Sequence, residues 1–321
     1  MKPAPLIGSK PQARSGQSVW EKAWSQKWLY AFALPGFVFF LVFSYYPMFG
    51  IIMAFQDYNP VSGYFGSEFV GFDNFATIFQ LPDFTNALKN TLIISSLKLG
   101  IGFPATILFA LLINELHNMV FKRFTQTISY LPYFISWVIA AGLWYKLLSP
   151  DQGLINELLV KIGILDSPYY FMGDPNAFVP IIIVTEIWKS IGFGAIIYLA
   201  ALAGVDPHLY EVAGIDGANR FRQIWHITLP CIRPTIMLMF ILSAAGLMSA
   251  GFDQLWTMGN LQVNDVGEIL DTLILKYLRN SGGFSGLSLA AAMGVFQATV
   301  GLALFLITNY IAKALKQESL L

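Results

Sequence analysis

Six long apolar runs organise the chain: Leu29–Phe55, Leu88–Ile113, Thr125–Leu148, Phe178–Leu202, Ile236–Phe252 and Leu287–Ile311. A helix needs about 20 apolar residues to cross the hydrocarbon of a bilayer, and each run is long enough or nearly so. The fifth is the shortest, with its start placed inside "PTIMLMF". The ten-residue alternation of a membrane barrel does not recur. The pattern predicts an all-α membrane protein with six spans. Pro47, Pro104 and Pro132 fall within the runs and are expected to kink or end helices there, which membranes tolerate when neighbours satisfy the freed backbone.

The segments between the runs are uneven. Residues 57–87 carry "VGFDNFATIFQLPDF", and residues 149–177 carry "GLINELLVKIGIL", an amphipathic helical pattern. Loops of this length are expected to fold into short helices at the end of the bundle or against a partner. At the N-terminus, residues 1–17 have the Pro, Gly, Ser and Lys content of disorder, and "SVWEKAWSQKW" then sets Trp20, Trp24 and Trp28 four apart. Indoles favour the headgroup level, so this stretch predicts a helix lying on the membrane surface before the first span.

Composition agrees with this picture, at 56% hydrophobic and 12% charged against roughly a quarter charged in soluble domains. The net charge is zero, so bulk charge suggests no nucleic-acid partner. The distribution of Lys and Arg sets the expected orientation. With the N-terminus inside, 12 of the 19 basic residues fall on inner segments, among them Lys122, Arg123, Arg220, Arg222 and Arg233. Both termini are therefore expected in the cytoplasm. No cleaved signal is expected, because the first apolar run is too long for one.

Candidate chemistry is sparse. The single Cys231 excludes an internal disulfide and a cysteine-based zinc site. His117, His208 and His226 have no metal-ligand spacing, so no metal is expected. No G-x-S-x-G elbow and no Gly-Lys dipeptide occur, which removes a serine nucleophile and a P-loop. The chain reads as non-catalytic.

"EVAGIDGANRFRQIWHITLP", Glu211 to Pro230, is the longest polar stretch of the C-terminal half and lies between two spans. It reads as a short helix, a turn at Gly217, and more helix up to Pro230. Gly217 can take the positive φ that a sharp reversal needs, and Pro230 is expected to close the helix before span five. Glu211 and Asp216 offer carboxylates to backbone amides or an arginine. Glu211, Ala213, Gly217, Ile227, Leu229 and Pro230 match the E-A-A-x3-G-x9-I-x-L-P loop of type I ABC importer permeases, with Val212 in place of an alanine. Further stretches, including "SYYPMFGIIMAFQDYNP", "YLPYFISWVIAAGLWYKLLSP" and "VGEILDTLILKYL", resemble the oligo- and polysaccharide subgroup that includes the alginate importer.

That resemblance implies a six-span permease domain over 29–315, with a cytoplasmic coupling loop at 205–232. A tail over 1–28 precedes it and a short tail at 316–321 follows. It implies a bacterial inner-membrane location and a second homologous permease beside this one. Two ATPase subunits would bind ATP and Mg, so no cofactor belongs to this chain, and an extracytoplasmic binding protein would deliver the oligosaccharide. Glu211, Ala213, Asp216, Gly217, Arg220, Leu229 and Pro230 would then engage an ATPase. A secondary sugar transporter is the rival class, but no inverted repeat or discontinuous-helix ion site is visible.

Polar residues inside the runs mark the expected substrate path. Lys98 and Lys189 lie near mid-membrane depth, and Glu186 is three residues before Lys189. They admit two readings, a staple in which both lysines share Glu186 or a lining that meets an acidic, alginate-like cargo. Trp188, Asp253, Gln254 and Trp256 add ring faces and hydrogen-bonding groups suited to acidic or neutral sugars. In the last span, Gly294, Ala298 and Gly301 are expected to pack helices.

Overall fold

The apolar runs become helices in a computed structural model of the chain, which describes residues 24, 26–280 and 285–314. The chain divides into two compact units, Met1–Ile51 and Ile52–Leu321. In the first unit, α1 (Lys27–Phe40) continues through a π turn at Leu41–Tyr45 into the start of the 3-10 segment Tyr46–Phe55. None of its apolar side chains is buried within α1, as suits a lipid-facing surface. Trp24 and Trp28 flank Lys27, whose Nζ lies 5.4 and 5.7 Å from their ring centres. Trp20 and the tails at 1–23 and 316–321 lie outside the described residues.

In the second unit the helices are α2 (Asp73–Gln80), α3 (Pro82–Leu97), α4 (Phe103–Asn114), α5 (Met119–Tyr130), α6 (Trp137–Leu147) and α7 (Leu154–Lys161). They continue as α8 (Pro175–Ala203), α9 (Pro207–Ile215), α10 (Arg220–Gln223), α11 (Leu229–Ala245), α12 (Phe252–Met258), α13 (Leu270–Asn280) and α14 (Ser285–Ala314). The only strands among the described residues are β1 (Gln56–Asp57) and β2 (Glu68–Phe69), paired antiparallel with Gln56 opposite Phe69. Both long loops do fold into short helices, α2 and α7.

Five helical segments are long and apolar enough to cross a membrane unbroken: Lys27–Phe55, Pro82–Asn114, Pro175–Ala203, Arg220–Met248 and Gly286–Ala314. The sixth, the Thr125–Leu148 run, is not one helix. Met119–Phe134 and Trp137–Leu147 meet at 104°. Pro132 ends the regular hydrogen-bond ladder, Ile135 is extended, and Ser136 caps the new helix by accepting from the Ile139 amide at 3.4 Å.

A break of this kind strands carbonyls in a medium without water. Lys189 of α8 answers it. Its Nζ donates to the Tyr133 carbonyl at 2.7 Å and to that of Pro132 at 3.4 Å, between the rings of Tyr133 and Trp137. A lysine at a helix C-terminus satisfies such carbonyls as well as the negative end of the dipole. The break and its cap are one feature.

Three other prolines follow a rule, whereas Pro35, Pro180 and Pro234 lie inside α-helices. The three π turns, Leu41–Tyr45, Lys98–Gly102 and Ile224–Thr228, each end two residues before a proline: Pro47, Pro104 and Pro230. Proline has no N–H and its ring crowds the carbonyl four residues back, which the wider π turn relieves. Pro230 consequently does not close a helix before span five, as the sequence suggested. Arg220–Met248 runs on through it.

Three apolar clusters hold the second unit. One joins Ile94, Phe178, Ile182, Leu255 and Ile269, a second Phe84, Ala87, Leu270, Leu273 and Met293, and a third Ala110, Tyr198, Leu202 and Ile232. α8 takes part in the first and third, so it is the central rod. It begins at an Asp174 cap that accepts from the Asn176 amide at 3.0 Å. The Tyr169 hydroxyl, then that amide, hold the Asp174 carboxyl below the usual carboxylate range. Of the expected small-residue seam, Gly301 lies against α11, where an added Cβ would stand 3.6 Å from the Ala245 carbonyl. Gly294 instead borders an open cavity of about 470 Å³.

Two substitutions test this packing. A Cβ at Gly192 would fall 2.1 Å from the Ser129 carbonyl, whereas one at Gly142 meets nothing within 4 Å. Gly192→Ala should therefore cost about 1–3 kcal/mol by forcing α5 from α8. Gly142→Ala should be neutral or slightly stabilising. Thermal unfolding in detergent compares them, and matching midpoints would contradict the close approach. Lys189→Met should cost about 1–3 kcal/mol by leaving the Tyr133 carbonyl unsatisfied. An unchanged unfolding midpoint for Lys189→Met would show that the break does not depend on this cap.

Candidate functional site

The Glu211–Pro230 stretch forms a self-supported hairpin of helices. Asp206 caps α9 by accepting from the His208 amide at 3.0 Å, with Pro207 in the first turn. α9 then ends in a Schellman motif. The Ala218 amide donates to the Ala213 carbonyl at 2.8 Å and the Gly217 amide to that of Gly214 at 3.1 Å. Gly217 has φ +76°, and nothing lies within 4 Å of a Cβ built there. Backbone angle, not crowding, selects glycine here. Asn219 reverses the chain and caps α10, accepting from the Arg222 amide at 2.9 Å.

Side chains brace this hairpin internally, and one ties it to the bundle. Tyr210 Oη lies 3.0 Å from Thr228 Oγ1, and Gln223 Nε2 donates to the Ala218 carbonyl at 3.3 Å. Arg220 reaches the end of α4, 3.9 Å from Glu115 and 3.4 Å from His117. Glu211 faces outward beside His208 at 3.2 Å and keeps 69% of its side-chain surface. Asp216, Gly217, Arg220 and Pro230 are also exposed, while Ala213 and Leu229 are half-buried. Val212, Ile215, Phe221 and Trp225 are exposed as well, Ile215 at 87%, and the rings of Phe221 and Trp225 stack. The hairpin thus presents an apolar face rimmed by carboxylates.

Deeper in the bundle, Lys98 stands in the π turn between α3 and α4. Its Nζ donates to Gln254 Oε1 at 2.6 Å and to the Ala250 carbonyl at 2.7 Å, with Glu186 Oε2 at 3.4 Å. Gln254 is fully buried and passes its own amide hydrogens to the Ile182 carbonyl at 2.8 Å and Thr185 Oγ1 at 2.9 Å. Gly251 makes this possible. It has φ +97°, and a Cβ there would lie 2.8 Å from Lys98 Nζ. Three spans meet in this network.

The expected staple is thereby corrected. Lys98 pairs with Glu186, but Lys189 makes no ion pair with it among the described residues. The helical turn points Lys189 toward the broken span and Glu186 toward Lys98. Trp188 packs edge-on against Trp144, 5.5 Å between centres. Asp253 is exposed in the first turn of α12, and Trp256 stacks on Phe252 with 42% exposure. The substrate-path residues therefore do not form one site; only Lys98, Glu186 and Gln254 converge.

Beside that network lies a cavity of about 290 Å³, where Lys98 and Glu186 join Ser95, Thr106, Ser190 and Ser243. Ser95 Oγ is buried without a partner in it. Hydroxyls and a held ion pair punctuate a lining that is otherwise mostly apolar, with Phe103, Ile187, Tyr198 and Met239 in it. Sequence reasoning missed these hydroxyls and Gly251. A serine or threonine on a helix is common, and only the fold brings these four hydroxyls together; the glycine in "MSAGFDQ" was the available signal.

Against known proteins, residues 102–317 match the family of binding-protein-dependent transport system inner membrane components. Protein LplB of Bacillus subtilis (strain 168) is 41% identical over the whole of both chains. The polygalacturonan/rhamnogalacturonan transport system permease protein YteP of the same organism is 45% identical, over 92% of this chain and 90% of that one. Among solved structures, the bacterial alginate ABC transporter in complex with alginate pentasaccharide-bound periplasmic protein contains a chain 38% identical. The match covers 95% of this chain and 100% of that one, with a TM-score of 0.86. Apolar helices, the reversed hairpin between two spans and likeness over nearly the full length agree: the chain belongs to the binding-protein-dependent transport system inner membrane components, as a multi-pass inner-membrane ABC permease subunit.

Proposed function

We propose that this chain is one of two permease subunits of an importer for oligosaccharides, with ATP hydrolysed on separate subunits that hold the nucleotide and Mg. The observation that carries the coupling part is the Glu211–Pro230 hairpin. A rigid reversal with an exposed apolar face and a carboxylate rim is suited to a groove on another protein. Glu211, Asp216 and Arg220 supply its charge, and Gly217 its shape. The hairpin is cytoplasmic in this reading, as are both termini.

The cargo reading rests on the relatives. One is a polygalacturonan/rhamnogalacturonan permease and the solved neighbours import the acidic polysaccharide alginate. An oligosaccharide bearing carboxylates is the cargo we favour. The neutral alternative draws support from the bundle itself, because Lys98 and Lys189 are both met by the chain's own oxygens. A delivering binding protein and a second permease complete the assembly in this reading. The rival class, a secondary transporter, is disfavoured by the family match over residues 102–317.

Two outcomes check the reading. Gly217→Val should reduce uptake about tenfold or more in proteoliposomes carrying the whole complex, while the chain still inserts and assembles. Gly217→Ala should be milder, because a β-branched side chain resists positive φ more strongly. Wild-type uptake and wild-type ATPase stimulation in Gly217→Val would sink the coupling role. For orientation, Leu261→Cys and Asn219→Cys are placed in a Cys231→Ser background and treated with an impermeant thiol reagent. Leu261→Cys should label from outside intact spheroplasts and Asn219→Cys only after lysis; the opposite pattern would invert the topology.

A further inference from the structure

With both mid-membrane lysines engaged, a carboxylate-bearing cargo needs positive charge elsewhere. A second cavity, about 490 Å³, supplies it. Its size falls within the usual range of small-molecule sites, about 300–1,000 Å³. One wall is the face of α13 that carries Thr272, Lys276 and Arg279, spaced i, i+4 and i+7. Trp256 of α12, Asn260 and the short helical segment Asn264–Gly267 also line the cavity.

The charges in this cavity do not cancel. Glu268 is nearly buried, with 7% of its side chain exposed, and Lys276 Nζ meets it at 3.1 Å. Asn264 Nδ2 approaches the other Glu268 oxygen at 3.5 Å. The Arg279 guanidinium is exposed, and its described partner is the Trp256 ring, 5.8 Å from guanidinium carbon to ring centre. Among the described residues no carboxylate lies within 4 Å of it. An arginine stacked on an indole retains its N–H edge for a planar, bidentate acceptor. Trp256, stacked on Phe252, keeps 42% of its surface, so that the indole left uncovered beside Arg279 can meet the C–H side of a sugar.

The cavity lies at the far end of the bundle from the Glu211–Pro230 hairpin. Gly267, on its wall, packs on Phe178 in the first turn of α8, where a Cβ would stand 2.7 Å from the ring. The hairpin follows the other end of α8, 25 residues on, or about 38 Å at 1.5 Å per residue.

We infer that the Trp256–Arg279 cavity receives one carboxylate-bearing sugar unit at the extracytoplasmic mouth of the permease, the guanidinium taking the carboxylate and the indole taking the ring. The inference rests on the oligosaccharide-importer reading and names the part of this chain that selects acidic cargo. Selection then happens at the mouth, before the cavity beside Lys98.

The test uses the complete importer in proteoliposomes with saturating loaded binding protein. Uptake of a uronic-acid trisaccharide is compared with that of its methyl ester, which keeps the sugar ring and removes the charge. Arg279→Gln should lower the saturated uptake rate of the acid about tenfold, the scale of one lost charge-assisted pair, and that of the ester less than about twofold. The KM for loaded binding protein should not change, because the cavity takes cargo and not the delivering protein. Arg279→Lys should recover part of the acid rate. Equal slowing of acid and ester, no slowing of either, or a raised KM alike for both would overturn the site while leaving the importer reading intact. If the wild-type complex carries neither sugar, the oligosaccharide reading fails and the site falls with it.

Discussion

A peptide carbonyl stranded in hydrocarbon has no water to pair with, and leaving one there costs several kcal/mol. This chain carries prolines within its apolar runs, and each one removes a backbone donor that the ladder would otherwise use. Pro47, Pro104 and Pro230 are accommodated by π turns that shift the ladder without opening it. At Pro132 the ladder does open, and the carbonyls released there receive Lys189 from the neighbouring span. That ammonium group sits at the break from which α6 sets off, carrying Trp144 and Tyr145 against the first core cluster.

The same constraint settles what the buried charges do. A lysine in mid-membrane is costly unless oxygen surrounds it, and cargo is present only part of the time. Lys98 accordingly has Gln254, the Ala250 carbonyl and Glu186 permanently in place. Gly251 is required there by its φ of +97°, which residues with a side chain rarely adopt, and a Cβ would also press on the ammonium. Groups that must bind and release a charged substrate belong where solvent can replace it, which is the situation of Arg279 and not of Lys98 or Lys189. In the proposed importer, a cavity with hydroxyls and an ion pair already satisfied would let cargo move on.

Much of this was legible from residue order alone. The spans follow from run length, and the hairpin follows from Gly217 in a polar stretch, because both depend on local chemistry. The broken third span was only half legible. Pro132 announced a disturbance, but neither its 104° depth nor the cap from Lys189, 57 residues away, could be read from it. The role of Pro230 was misread because the π turn that precedes it has no sequence signature beyond the proline itself. The convergence of Gln254 on Lys98, 156 residues apart, could not be read at all, since Gln254 looked like one polar residue among several at the end of a span. Arg279 lay in a loop-side helix that hydropathy passes over.

The way the hairpin is mounted bears on how force would cross the molecule. Between α8 and α9 lie only Gly204, Val205 and Asp206, and the Gly204 and Val205 amides still bond to α8 carbonyls, at 3.1 and 3.2 Å. At its other end the hairpin is continuous with span five, because the helix does not stop at Pro230. A displacement of the hairpin therefore has no slack to absorb it and must be taken up by α8 and α11 together. Those two helices, with α3 and α4, bound the cavity beside Lys98. Tight turns at one end and a satisfied polar network in the middle make the pair of spans a stiff lever, which is what conversion of a motion at the hairpin into an opening of that cavity requires.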